Sequence, residues 1–148
     1  RGTLSTLLKK DDLKGRAWCL ERILQGDSPG QICLLSRRVE AVGLTGDGWT
    51  TDPWPAALAV TNSGDEELVL DIKIECHAQP DALPITALVD DGRERREVRF
   101  KERGLRTLTL DPIPAGEAQL LIITTDGTWT PGTELDQRQL GVRISVEE

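Results

Sequence analysis

Three of the four tryptophans, Trp49, Trp54 and Trp129, stand in stretches full of turn formers, "GDGWTTDPWP" and "DGTWTPG". Acids accompany each ring: Asp47 and Asp52 around the first pair, Asp126 ahead of the third. An indole face stacks against the C–H surface of a sugar ring, and carboxylates accept hydrogen bonds from its hydroxyls. The pattern therefore fits a carbohydrate-binding surface. The same residues also suit a structural role, in which the rings cap the end of a core and each indole N–H bonds to a loop carbonyl. At the level of sequence both roles stand open.

Other chemistries find less to work with. His77 is the single histidine, so a hydrolase triad would have to use it as base, and no serine or cysteine lies near it in sequence. An imidazole metal site would likewise have one such ligand. Asp47, Asp52, Asp126, Glu134 and Asp136 supply acids enough for a glycosidase-style pair. A general acid needs burial or a close like charge to raise its pKa, however, and acids beside Gly and Pro usually form turns. "GLTGDG" precedes no helical pattern and is not a phosphate loop. Oxygen-rich loops do leave room for a bound calcium ion, the one cofactor left open. No catalytic residue is assigned, and the chain is read as a non-enzyme.

Charge and cysteines narrow the setting. A net charge of −7 repels nucleic acid, which needs clustered cations. The one basic cluster, Arg93 to Arg103, is interleaved with Glu94, Glu97 and Glu102 and reads as a solvated strand face. Cys19, Cys33 and Cys76 are odd in number and widely spaced, which suits idle thiols in a reducing cytosol better than disulfides or zinc. No apolar run is long enough to span a membrane. The chain contains no methionine and opens on Arg1, which reads as a piece of a longer cytoplasmic polypeptide.

Positioning these loops falls to two kinds of element. Leu4, Leu7, Leu8, Leu13, Ala17, Leu20, Ile23 and Leu24 recur at helical spacing, with Gly15 splitting the run and "DSPG" ending it. Residues 1–30 are therefore expected as a short helical appendage. It would be either the tail of a preceding domain or a clamp on a sheet edge, with Trp18 packed against the sheet. From residue 31 to 148 the pattern becomes short alternating segments separated by turn chemistry. In "ELVLDIKIECHA", Leu68, Leu70, Ile72, Ile74 and Cys76 share one face. About eight such segments predict an all-β domain, an antiparallel β-sandwich of jelly-roll type.

Two stretches carry a resemblance. "VGLTGDGWTTD", with Asp47, Gly48 and Trp49, resembles the opening of a β-sandwich module that accompanies bacterial glycosyltransferases of polysaccharide biosynthesis. "TWTPGTELDQRQLGVRI" resembles that module's closing signature, through Trp129, Pro131, Asp136, Arg138, Leu140 and Gly141. The strand and turn rhythm between them matches, so the resemblance covers roughly residues 38–148. It leaves the helical lead-in and Trp54 outside the pattern. It implies no catalytic residues.

Taken with the resemblance, physical chemistry suggests a fold lock: Arg138 reaches a loop carboxylate such as Asp47, and Gly141 lets the last strand approach a ring, with Trp49 the candidate. The resulting expectation is a non-catalytic accessory domain of a larger bacterial, glycosyltransferase-associated protein, which binds carbohydrate or positions the enzyme. A structural, oligomerising or protein-interaction module without sugar binding is the first alternative. A small glycan-modifying enzyme using loop carboxylates is the second. Expected partners are a glycan, a neighbouring protein domain or a second copy of the chain.

Overall fold

The alternation seen in the sequence becomes two antiparallel sheets. In the computed structural model, residues 33–51, 55–133 and 135–148 are described. The expected helical appendage over residues 1–30 lies outside them, as do Asp52, Trp54 and Glu134. Ten strands follow in order: β1 (Cys33–Ser36), β2 (Val39–Val42), β3 (Trp49–Thr51), β4 (Ala56–Thr61), β5 (Asp71–Cys76), β6 (Ile85–Asp90), β7 (Arg95–Phe100), β8 (Gly104–Thr109), β9 (Ala118–Thr125) and β10 (Leu140–Glu147). Among the described residues no helix is long and apolar enough to cross a membrane.

One sheet has the order β1-β2-β4-β9-β6-β7 and the other β3-β10-β5-β8. The ladders within both are antiparallel. Set the β1–β2 hairpin aside, and β3 to β10 form two facing four-stranded layers, 3-10-5-8 against 4-9-6-7. That is the double Greek key of a jelly roll. The hairpin extends one layer by pairing β2 with β4.

The core lies between the layers. Leu58, Leu121, Ile123, Ile85 and Phe100 come from the larger sheet and Ile72, Ile74, Val142 and Ile144 from the smaller, all buried. β5 buries every second residue, as its sequence alternation predicts. Its other face is polar, with Lys73 paired to Glu147 at 3.0 Å. β4 behaves differently, since five consecutive residues from Ala56 to Val60 are buried. β9 does the same from Leu120 to Ile123. These two central strands of the larger sheet are covered on both faces, a condition that replaces alternation with continuous apolar runs.

One buried polar side chain ties down the pole away from the tryptophans. Asn62 follows β4 and is 1% exposed. Its Nδ2 donates to the carbonyls of Glu66 (2.7 Å) and Ile113 (2.8 Å), and its Oδ1 accepts from the Gly64 amide (3.1 Å). The loops after β4 and β8 are thereby joined. Asn62→Ala leaves the buried Ile113 carbonyl short of this donor, and such a loss costs about 2 kcal/mol. Urea unfolding should show a lower midpoint with an unchanged slope.

Candidate functional site

The loop that precedes β3 is folded by its own side chains. Thr45 Oγ1 donates to Asp47 Oδ1 (2.6 Å) and accepts from the Trp49 amide (3.0 Å). The Gly48 amide closes a turn on the Thr45 carbonyl at 2.9 Å. Gly48 has a φ of +93°, where a side chain is strained, and its carbonyl accepts from the Ile144 amide of β10 at 2.9 Å. Asp47 is thus held outward at the side of β10.

Arg138 meets it there from 91 residues further along the chain. Its Nη1 and Nη2 donate to the two carboxylate oxygens of Asp47 at 2.9 and 3.2 Å. Nε and Nη2 also donate to Asp136 at 2.9 and 2.7 Å. Arg143 Nε adds a bond to the Asp47 carbonyl at 3.1 Å. Such two-pronged geometry makes the strongest class of charged hydrogen bond. Bonds from Arg138 and then Thr45 pull the Asp47 carboxyl down from 3.8 to about 2. Arg138 lowers the Asp136 pKa as well, and the two carboxylates raise that of Arg138.

Beneath this ionic clasp the rings meet. Trp49 opens β3 and is 7% exposed. Trp129 stands edge-on to it, with centroids 5.4 Å apart at 75°. The His77 ring also stands edge-on to Trp49, at 5.2 Å and 76°. These separations are the favourable T-shaped arrangement. Trp129 is half-buried, and its Nε1–H donates to the Gly141 carbonyl at 2.9 Å while its backbone pairs with Leu140 in both directions. Trp49 therefore presents little face for stacking, and the indole N–H of Trp129 already has its loop carbonyl.

Gly141 is required for a reason other than the expected one. Its close neighbours are Thr50 and Thr125, not the Trp49 ring: an added Cβ would overlap Thr50 Oγ1 and fall 2.9 Å from Thr125 Oγ1. β10 carries one extra residue opposite β3 at this point, with Leu140 facing Thr51 and Arg143 facing Trp49. A bulge of this kind interrupts the ladder. Thr50 Oγ1 accepts the Val142 amide inside it at 3.0 Å.

The remaining candidates disperse. Asp126 is exposed, and its Oδ1 accepts the Thr86 amide at 2.8 Å, so its carboxylate extends the β6–β9 pairing. Pro131 is half-buried in the long loop before β10, whose Thr130 carbonyl accepts from Gln79 Nε2 at 2.6 Å. Leu140 is buried. Asp52 and Trp54 lie outside the described residues. An open hollow of about 620 Å³ is lined by Ala78, Pro80, Leu83, Lys101, Glu102 and Arg103. Arg103 Nε is tied to the Ala78 carbonyl at 3.0 Å.

For a cation, the acids that come together are Asp91, Glu94 and Asp111, whose oxygens lie within 4.8 Å of one another among the described residues. A guanidinium already sits among them: Arg96 Nη2 is 2.7 Å from Glu94 and 3.1 Å from Asp111. Asp91 Oδ1 accepts the Arg93 and Glu94 amides. The arrangement is an arginine clasp with neutralising acids. Cys76 is a free thiol and buried, and that burial raises its pKa. A raised pKa disfavours the reactive thiolate.

Sequence reasoning named Asp47, Arg138, Trp49 and Trp129 but missed Thr45, Thr50 and Thr125. A hydroxyl one residue after a tryptophan carries no signal until the register of β10 is known. The chain matches no family model, no curated protein and no solved structure.

The clasp has a pH signature. A carboxyl with a depressed folded pKa stabilises fully above its unfolded value, near 3.9, and that stability drains as pH falls toward the folded value. For Asp47 the window runs from about pH 4 down to about 2. The pair is half-exposed, so its contribution is about 1 kcal/mol. Arg138→Gln should be less stable than the parent by that amount at pH 6, and the gap should close near pH 2 in urea titrations.

Proposed function

We propose that this jelly roll is a non-catalytic accessory domain of a larger bacterial glycosyltransferase-associated protein, and that it works by positioning its neighbours. One observation carries the reading. The residues of the two resembling motifs turn toward each other, through the two-pronged Asp47–Arg138 pair and the edge-on Trp49–Trp129 contact. Groups so engaged supply shape and rigidity. The hollow lined by Ala78, Pro80, Leu83, Lys101, Glu102 and Arg103 would offer a neighbouring domain a place to rest.

Carbohydrate binding by half-buried Trp129 is the competing outcome, and the glycan-modifying enzyme is the third. Titration of the chain with neutral and acidic oligosaccharides should leave tryptophan emission unchanged, and incubation with them should release no product. An emission shift that disappears in Trp129→Ala would replace the positioning role with sugar binding. Turnover abolished by Asp136→Asn would restore the enzyme.

A further inference from the structure

Four strands stand at the edges of the two sheets, β1 and β7 in the larger and β3 and β8 in the smaller. An open edge invites a further strand, and proteins blunt it with short length, irregularity or charge. β1 has four residues and a register shift between Leu34 and Ser36. β3 has three residues. β7 presents exposed Arg95, Glu97 and Arg99. β8 carries none of these guards. It runs for six residues, five of them exposed, and pairs with β5 in unbroken register. Its one charged side chain, Arg106, turns toward the core side, with the guanidinium 5.6 Å from the centre of the Phe100 ring.

The ladder fixes which backbone groups of β8 are open. The Leu110 amide donates to the Leu70 carbonyl at 3.0 Å, one step beyond the pairing of Thr109 with Asp71. Bonded and non-bonded pairs alternate along an antiparallel ladder. Leu108, Arg106 and Gly104 therefore turn their amides and carbonyls to β5, whereas Thr109, Thr107 and Leu105 turn theirs to the open side. Arg96 agrees with this parity, since its Nη1 reaches the Thr109 carbonyl from β7 at 2.8 Å. That bond closes one end of the edge. Leu105 and Thr107 are left, each with an amide and a carbonyl facing out, and among the described residues no backbone partner meets them. The Leu105 side chain is 53% exposed beside them.

Charge says what fits there. Residues 101–106 hold three cations, Lys101, Arg103 and Arg106, against the single acid Glu102, in a chain of net charge −7. All three cations are exposed, and among the described residues none is in an ion pair. Arg103, just ahead of Gly104, donates to the Ala78 carbonyl and lines the open hollow with Lys101. A second copy paired through β8 would set these cations against their own counterparts, and like charges across a ladder destabilise it. We infer that β8 is a docking edge for an extended segment of another protein, one in which apolar or β-branched residues alternate with acids. Its backbone would pair with Leu105 and Thr107, its apolar side chains would lie beside Leu105, and its acids would face Arg106. The edge is open whatever the pole bearing Asp47 and Arg138 does, so the inference goes beyond the positioning role and does not depend on it.

Amide NMR spectra of the full chain, titrated with a synthetic peptide of alternating valine and glutamate, test this. The amides of Leu105 and Thr107 should shift most, and saturably. The matching valine–lysine peptide should bind at least tenfold more weakly. Thr107→Pro removes an open-side amide that β5 does not use, and should weaken binding at least tenfold while the amides of β10 keep their positions. Should the proline disturb β8, Arg106→Glu supplies a charge readout: it should weaken binding of the glutamate peptide and strengthen that of the lysine one. No shift at Leu105 and Thr107, equal binding of the two peptides, or full binding by both variants would overturn the proposal. So would dimerisation of the unliganded chain that Thr107→Pro abolishes, which would assign the edge to a second copy.

Discussion

The last strand can lie where it does because position 141 has no side chain. Thr50 and Thr125 press against that spot from β3 and β9, one from each sheet. There the extra residue in β10 turns its amide toward the Thr50 hydroxyl instead of a ladder carbonyl. From this seat the neighbouring contacts follow. The Gly141 carbonyl turns toward the Trp129 indole, Trp129 stands against Trp49, and the loops bearing Asp47 and Arg138 come within hydrogen-bonding reach. The ionic clasp is exposed and worth little alone. It sits on top of a close-packed joint, which supplies the rigidity.

This hierarchy bears on function. Two motifs nearly the whole domain apart converge on one pole of the sandwich and engage each other there. A surface built for a flexible ligand usually leaves polar groups free to reorganise, whereas here the aspartates, the arginine and both described indoles have intramolecular partners. In the positioning role proposed above, such a stiff pole would hold neighbours at a set distance.

Much of this was legible before any coordinates. Alternation from Leu68 to Cys76 predicts the buried face of β5, turn chemistry at regular intervals predicts a jelly roll, and the Asp47–Arg138 pair follows from charge and motif order. What escaped depends on register. Trp49 looks like a loop residue among Gly, Asp and Thr, yet it opens a strand that pairs with β10, and it is buried. A Cβ at Gly141 would meet threonines and not the Trp49 ring, because a one-residue bulge shifts which side chain it faces. His77 follows β5 in its polar register, and only the arrival of Trp49 gives its ring an aromatic partner. β4, with "AALAV", gives no alternation because both of its faces are covered.

The central claim, that Gly141 seats the last strand on Thr50, is tested most directly by a two-residue mutational cycle read by urea unfolding. Inserting a methyl into so tight a contact costs about 2 kcal/mol. Gly141→Ala should therefore be strongly destabilising in the parent chain, and its cost should shrink by about 1 kcal/mol in a Thr50→Ala background, where the obstructing hydroxyl is gone. Equal costs in the two backgrounds would contradict the account.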